Sequence, residues 1–600
     1  MITLAEHGQS AYRIVMPHPS HETVKLACDE FHYFFYRITG ASLPVTTELQ
    51  PADSPQIFIG DSARLRGMGI ALPEGLGEEG YIIRTVGEHL VIAGRTPRGT
   101  LYAVYAFLEE QLDCRWYASD AEYVPCRLSL VLPPLNLRDV PAFESREVYW
   151  RDAYDGKFSV RNRLNGNKHD ISIRQGGRQK WYNFHHSFDD LVPTRVYFEE
   201  HPEYYSLVNG VRLPRNNQLC LTNPDVLRIA EETLRHWIRE NPDCTVFSIS
   251  QNDWDNHCQC ECCMSVEQAE ESASGPVIWF VNQLAEAIAE DHPGVLLHTF
   301  AYLYTRKAPL HIRPYPNVIV RLCDIECCFS HPLDGTLPEG VVLCPEDMQH
   351  KDTHINGPQC AQKGEVPFLR DLIAWSAICR RLYIWDYVTD FHNYLMPFPN
   401  LSVLQKNLQL FRRYGVSGVL EQGAFPHGGG AHFAELQAYI QAKLLWNPDA
   451  DLWGHVEDFL RGYYGEAAEP LLRQYIDLWQ QAAAPWHFSI YMHANAPFVT
   501  DELLLASERL LCEALYMTRT EELRARIERL RLGITYMLIS RMPIETPGRD
   551  VIIERFGWEC RAHGIAEIHE RWPLTTALTA LQGAMNGPTQ SRPLISDYKM

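Results

Sequence analysis

Between about residues 143 and 430 the chain repeats one pattern: a short apolar run, a polar or aromatic end, then a helical period. The runs are Glu144–Trp150, a weaker one at Arg161–Leu164, Tyr182–His186, Thr245–Ser250, Leu296–Tyr302, Val318–Cys323, Leu382–Trp385 and Gly418–Glu421. The strongest helix opens at Ser274-Gly275-Pro276, with proline in the first turn and Val277, Phe280, Val281, Leu284 and Ile288 on one face. Apolar strands alternating with amphipathic helices pack as a parallel sheet covered by helices. Eight such units predict an α/β fold, a (β/α)8 TIM barrel over 141–430, with its chemistry at the C-terminal strand ends.

The flanks differ in pattern. Residues 1–140 predict a small α+β domain: a strand at Gln56–Gly60 and a hairpin of Tyr81–Val86 with Leu90–Ala93 across Gly87-Glu88. Gly94-Arg95-Thr96-Pro97-Arg98-Gly99 is a glycine-rich turn into a helix carrying Leu101, Val104, Tyr105, Leu108 and Leu112. Leu132-Pro133-Pro134-Leu135 is the expected linker. Residues 431–600 predict a helical C-terminal domain, with a stripe of Leu523, Ile527, Leu530, Ile534 and Met537 and a second helix at Glu502–Tyr516. The aromatic cluster Phe459–Tyr464 reads as core packing.

Charge and cysteine usage narrow the function classes. With 54 Lys+Arg against 75 Asp+Glu, net charge -21, the chain lacks the basic footprint of a nucleic-acid or anionic-membrane partner. No run reaches the roughly 18 apolar residues of a membrane span, and no signal peptide is read at the N-terminus. The 17 cysteines are odd in number, and twelve lie between Cys220 and Cys379, some adjacent, as in Cys262-Cys263 and Cys327-Cys328. Reduced thiols in a cytoplasm fit this better than a disulfide framework.

The expected strand ends carry acids. The fourth gives Asn252-Asp253-Trp254, the sixth Asp324 and Glu326, the seventh Trp385-Asp386-Tyr387, the eighth Glu421. Charges after buried strands are costly unless paired or functional. Several carboxyls at one barrel mouth suit glycoside hydrolysis, one protonating the leaving oxygen and another acting as nucleophile or base. The candidate catalytic set is therefore Asp253, Glu326, Asp386 and Glu421. Sugars present apolar C–H faces to rings and hydroxyls to polar side chains. The candidate binding set is His185, Asn252, Trp254, Tyr302, Trp385 and Tyr387, with Trp181, Tyr182, Tyr304 and Phe425 as further ring candidates. Of the adjacent His185 and His186, an extended segment turns at most one to the mouth.

The densest cluster is His257-Cys258-Gln259-Cys260-Glu261-Cys262-Cys263. Cys258, Cys260 and Cys263 form C-x-C-x-x-C, a spacing that could place three thiolates on one zinc. A fourth ligand would have to come from His257, Cys262, Cys327 or Cys328. Reduced structural thiols and a nucleophilic or redox cysteine are the alternatives. Gly428-Gly429-Gly430, between His427 and His432, lacks the strand-turn-helix setting of a phosphate loop and reads as a flexible mouth loop.

These residues carry a resemblance. Gly94 to Gly99 with Tyr102, Cys114-Arg115-Trp116-Tyr117, Ser250-Gln251-Asn252-Asp253, the Cys258/Cys260/Cys263 cluster, Arg321 to His331, Tyr383 to Tyr387, Glu421-Gln422-Gly423, Lys443 to Pro448 and Tyr463-Tyr464-Gly465 resemble a bacterial family of unknown function. Its members pair an α-glucuronidase/hexosaminidase-type N-terminal domain with a glycosidase-like TIM barrel. The resemblance covers nearly the whole chain. α-Glucuronidases place an Asn-Glu pair after strand four, the Glu being general acid; the matching pair here is Asn252-Asp253, one methylene shorter. Their base comes from carboxylates after strands six and seven, which correspond to Glu326 (or Asp324) and Asp386. Hexosaminidases use an Asp-Glu pair after strand four with the substrate's acetamido group, and no such pair follows here.

The expectation is a glycoside hydrolase, exo-acting on small oligosaccharides or glycosides, with Asp253 as acid and Glu326 or Asp386 as nucleophile or base. Its partner is a carbohydrate, and it requires no cofactor beyond a conceivable structural zinc. A non-catalytic carbohydrate-binding protein and a zinc-dependent hydrolase using Cys258, Cys260 and Cys263 are the alternatives.

Overall fold

The apolar runs from Trp181 onward become strands and pair in parallel. In the computed structural model, which describes residues 1–51, 54–337, 341, 366–424 and 430–583, the chain divides into two compact units. One comprises 1–178 with 434–469, the other 179–433 with 470–600.

In the second unit the strands are Trp181–Tyr182, Val246–Ser248, Leu296–Ala301, Val318–Cys323, Leu382–Tyr387 and Gly418–Gln422, each bonded to the next in chain order. The helices Pro224–Glu240, Ser274–Ala289, Pro367–Ile378 and Leu401–Arg413 provide the crossovers that parallel pairing requires. The result is a curled parallel half-barrel. Within this unit Trp181–Tyr182 and Gly418–Gln422 do not pair with each other among the described residues, so of the eight-stranded barrel expected from the sequence this unit supplies six parallel strands. Backbone conformation explains two departures. The expected strand at Arg161–Leu164 is absent, because Asp155 caps a helix at Gly156–Arg161 and Arg163 takes φ 62°. The strand expected at Tyr182–His186 is cut to Trp181–Tyr182, because Asn183 and His186 adopt left-handed φ of 47° and 50°.

The same unit ends in helices Asp501–Met517, Glu521–Arg541 and Arg549–Ala562, followed by a short hairpin of Glu567–His569 with Trp572–Pro573. Of the expected stripe, Ile527, Leu530, Ile534 and Met537 are buried. No helix among the described residues is long and apolar enough to cross a membrane.

The first unit holds a six-stranded mixed sheet in the order Asn136–Asp139, Tyr81–Val86, His89–Gly94, Gln56–Ile59, Arg13–Met16, Val45–Thr47. The hairpin turns at Gly87-Glu88 as expected, with Val86 opposite His89. Helix Pro97–Glu110 starts from a Thr96 cap. A Cβ at Gly94 would overlap the backbone of Gly99 and Thr100, so glycine permits this close strand-to-helix passage. Leu130–Leu132 pairs with Ile2–Ala5, and Leu132 and Leu135 are buried. The proline segment expected as a linker therefore runs inside this unit. Helix Ala434–Trp446, buried along its whole length, completes it. Trp446 packs on Tyr81 and Tyr102, with ring centroids 5.9 and 5.8 Å away, and the guanidinium groups of Arg146 and Arg163 lie 5.1 and 5.0 Å from its ring. Lys443 pairs with Glu109 in the same interior; burial pushes Glu109 up, yet Lys443 and Arg163 hold it down to about 2. Phe459, Tyr463 and Tyr464 are buried, as the packing reading expected.

Candidate active site

The loop after Val246–Ser248 is pinned from both sides. Ser187 donates its hydroxyl to the Ser248 carbonyl (2.7 Å) and accepts from Ser250 N–H (3.0 Å). Gln251 donates to the Thr305 hydroxyl (2.7 Å). Gln218 accepts from Asn252 N–H (2.9 Å) and donates to the carbonyls of Asn252 (2.8 Å) and Trp254 (2.5 Å). Asn252, expected to bind substrate, spends its side chain on backbone: it accepts from Asp189 N–H (3.2 Å) and donates to the Asn217 carbonyl (2.9 Å). These bonds hold the backbone on both sides of Asp253.

Asp253 accepts from the Tyr302 hydroxyl (3.3 Å), and its side chain stays 21% exposed with His186 Nε2 4.0 Å away. His186 Nδ1 lies 2.8 Å from the Gln251 carbonyl; a carbonyl oxygen can only accept, so the proton of this bond is on Nδ1. Exposed His185 lies 5.3 Å from the His186 ring and 6.3 Å from Trp385. Both histidines thus gather at one place, because the left-handed residues break the alternation expected of an extended segment. Trp385 donates its indole N–H to Gln422 (2.6 Å), which fixes the ring. Phe300, Phe184 and Tyr387 surround it at 5.6, 5.7 and 6.3 Å. Trp254 is half-buried. Tyr304 stacks on His257 at 5.0 Å, and Tyr182 packs on Trp237 and Phe247. Phe425, His427, Gly428 and Gly429 lie outside the described residues.

A cation sits behind these rings. Arg321 is 1% exposed, its guanidinium 4.6 Å from the Trp181 ring, 4.8 Å from Phe184, 5.7 Å from Trp385 and 5.8 Å from Tyr383. Ring faces offset part of the cost of burying it. Burial, and then the Arg321 charge, hold His298 well below its ordinary value, so this buried imidazole is neutral; Ser248 Oγ lies 3.0 Å from its Nδ1.

The remaining acids are more deeply buried than Asp253. Residues adjacent on a strand face opposite sides of the sheet. Trp385 and Asp386 are adjacent on Leu382–Tyr387, so the single mouth expected to hold Trp385, Asp386 and Tyr387 is not formed. Asp386 pairs in register with Glu421, and Asp324 N–H donates to the Trp385 carbonyl (3.3 Å), continuing the row. The three are 2%, 0% and 0% exposed. Burial pushes Asp386 up to about 7, and burial with the charge of Asp386 raises Asp324 and Glu421 well above the carboxylate range. Burial thus biases the row towards the protonated form. Glu326 is ion-paired to Arg306 (2.6 Å), which also holds Asp371 (2.8 Å); burial raises Glu326 and Arg306 opposes the shift.

The cysteines gain a member that the spacing did not reveal. The sulfurs of Cys220, Cys258, Cys260 and Cys263 all lie within 4.8 Å of one another. The fourth ligands expected do not take part: His257 faces Glu267 (3.3 Å), Cys262 is exposed, Cys327 is buried beside Asp324, and Cys328 groups with His331 and His487.

Comparison with known proteins places these features in context. A family model described as Domain of unknown function (DUF4838) matches residues 116–477, and one described as Glycosyl hydrolase family 67 N-terminus matches residues 3–107. No curated protein matches. A solved 4-O-methyl-α-glucuronidase of family GH115, with specificity for decorated arabinogalactans, is similar at TM-score 0.58 and 12% identity, over 94% of this chain and 77% of that one. A GH138 enzyme targeting pectin rhamnogalacturonan II is similar at TM-score 0.45 and 9% identity, over 95% and 98%. At such identities the GH115 likeness speaks to the fold alone.

Proposed function

The chain belongs to the family described as Domain of unknown function (DUF4838), and from that premise we propose that it is a glycoside hydrolase, exo-acting on small oligosaccharides or glycosides, with Asp253 as general acid. The observation that carries the reading is the Asp253 carboxyl, accessible at a strand end and flanked by the Tyr302 hydroxyl and His186. The N-terminal segment of glycosyl hydrolase type supports it.

In this reading a sugar ring lies against Trp385 and Tyr387, and His185 and His186 hydrogen-bond its hydroxyls. Asp253 gives its proton to the glycosidic oxygen as the bond to the anomeric carbon breaks, and a second carboxylate attacks that carbon or activates water. Glu326 suits this second role better than Asp386: burial raises both, but at Glu326 the Arg306 partner opposes the shift. Asp386 suits it less, since it holds a proton near neutrality. An intracellular setting is part of the proposal, supported by the adjacent Cys262-Cys263 and Cys327-Cys328.

A panel of aryl glycosides and glycan fragments tests the reading. At least one should be cleaved, and on a cleaved glycan fragment, whose leaving group needs the proton, Asp253→Asn should lower kcat/KM by about 10²–10⁴-fold. Glu326→Gln should be comparably impaired and Asp386→Asn much less so; the reverse order would move the second role to Asp386. Absence of any cleavage, or full activity of Asp253→Asn, overturns the proposal.

One observation favours a second reading, a non-catalytic carbohydrate-binding protein: Glu326 is tied to Arg306, and Asp324, Asp386 and Glu421 are inaccessible. It predicts that a bound sugar is recovered uncleaved after prolonged incubation.

A further inference from the structure

We propose that Cys220, Cys258, Cys260 and Cys263 form a closed tetrathiolate zinc site, which fastens the segment before Asn223 to the loop carrying Asp253.

The sulfur spacing carries the inference first. Four sulfurs at about 2.3 Å from a tetrahedral zinc stand about 3.8 Å apart. Here Cys220 and Cys260 sulfurs are 3.7 Å apart, and all four lie within 4.8 Å of one another. A disulfide would need about 2.05 Å. The spacing is that of ligands around one ion.

The surroundings are those of thiolates rather than of an apolar core. The cluster consists of Cys220, Cys258 and Cys263, and among the described residues the partly buried hydrophobic neighbours packed against it are Leu207 and Cys260. Its sulfurs meet hydrogen-bond donors: Leu207 N–H donates to Cys258 (3.4 Å), Arg212 Nη1 lies 3.7 Å from the same sulfur, and the Thr222 hydroxyl lies 3.1 Å from Cys263. The short hairpin Leu207–Val208 with Val211–Arg212 brings the first two donors. Helix Glu261–Ala269 starts directly after Cys260, so Cys263 sits in its first turn, where backbone N–H groups favour an anion. Donors of this kind orient metal-bound sulfurs and offset their negative charge.

Four thiolates leave no position for water or substrate, so the zinc would be structural. Its binding displaces the thiol protons and changes no oxidation state. Its place explains a function for it. Cys220 lies two residues after Gln218, which holds the Asn252 N–H and the carbonyls of Asn252 and Trp254. Cys258 lies five residues after Asp253, and Gln259 N–H donates to the Leu207 carbonyl (2.7 Å). The metal would clamp both segments at the base of the candidate acid. Only that last consequence rests on the proposed role of Asp253; the metal site stands without it.

The test is metal analysis of the full chain purified under reducing conditions without chelator, with cobalt substitution as a spectroscopic readout. The expected result is at least one zinc per chain, and a cobalt derivative with the intense thiolate charge-transfer absorption of a tetrahedral tetrathiolate. Cys220→Ser should lose about one equivalent of zinc and that absorption, while Cys262→Ser and Cys328→Ser keep both. If Cys220→Ser does not fold, mercurial titration of the wild-type protein gives the same decision, with zinc released as four thiols are modified. Reduced wild-type protein that retains no zinc after incubation with excess metal and desalting overturns the proposal. So does a cobalt signal that Cys262→Ser removes as fully as Cys220→Ser. Zinc content is read without any turnover, so an inactive but zinc-loaded protein would sink the glycosidase reading and leave this one standing.

Discussion

One step along a strand, from Trp385 to Asp386, separates an aromatic wall from a buried acid. The sequence places both after the same apolar run, and neighbouring composition cannot reveal that the pleat sends them to opposite faces. Asp253 was legible because its environment is local, an Asn-Asp-Trp triplet in the loop after a strand. His186 was not, because its position depends on left-handed backbone at Asn183 and His186. The buried acid has a measurable consequence. Asp386 rises to about 7 in the folded chain, above its ordinary value, so it favours the folded state fully at low pH and loses that contribution as pH rises through about 7. Melting temperature should therefore fall between pH 5 and pH 8, and fall less in Asp386→Asn, which carries no charge at either pH; identical slopes for the two proteins would contradict this. Arg306 offers the opposite case, a buried cation holding Glu326 and Asp371. Arg306→Ala leaves two carboxylates without it and should cost about 3–5 kcal/mol in denaturant unfolding. A cost below about 1 kcal/mol would mean the pairs are solvated.

At the scale of elements, strands with strong apolar runs were legible nearly to the residue, as at Val318–Cys323, and so was the hairpin across Gly87-Glu88. The strands that failed did so through backbone conformation at Arg163, Asn183 and His186, which hydrophobic patterning does not encode. The fourth cysteine was hidden for a related reason. Cys220 reaches the cluster from a separate segment, and spacing rules see only ligands close in sequence. Loop fixation is tested through Gln218, whose amide holds three backbone groups around Asp253. Gln218→Ala should lower kcat by about tenfold, on the order expected for a misplaced catalytic group, with KM changed less; melting temperature should drop only modestly. An unchanged kcat would show that the loop holds its shape without this side chain.

At the scale of the molecule, the chain leaves its first unit after residue 178 and returns to it at 434–469. Nothing in the pattern of Ala434–Trp446 announces that return, because a helix buried on every side has no amphipathic stripe to read. Trp446 is the anchor of the return, and Trp446→Ala should destabilise the protein by about 3–5 kcal/mol, the range for deleting a buried indole; a loss under about 1 kcal/mol would deny it that role. Glycoside hydrolysis with Asp253 as proton donor is the proposed activity of the whole molecule. The most direct measurement compares wild type and Asp253→Asn on two glycosides of the same sugar, one with a poor alkyl leaving group and one with 2,4-dinitrophenolate, which departs without a proton. A deficit of about 10²–10⁴-fold is expected on the first substrate, shrinking to within about tenfold on the second. Equal deficits on both substrates, or none on either, would contradict it.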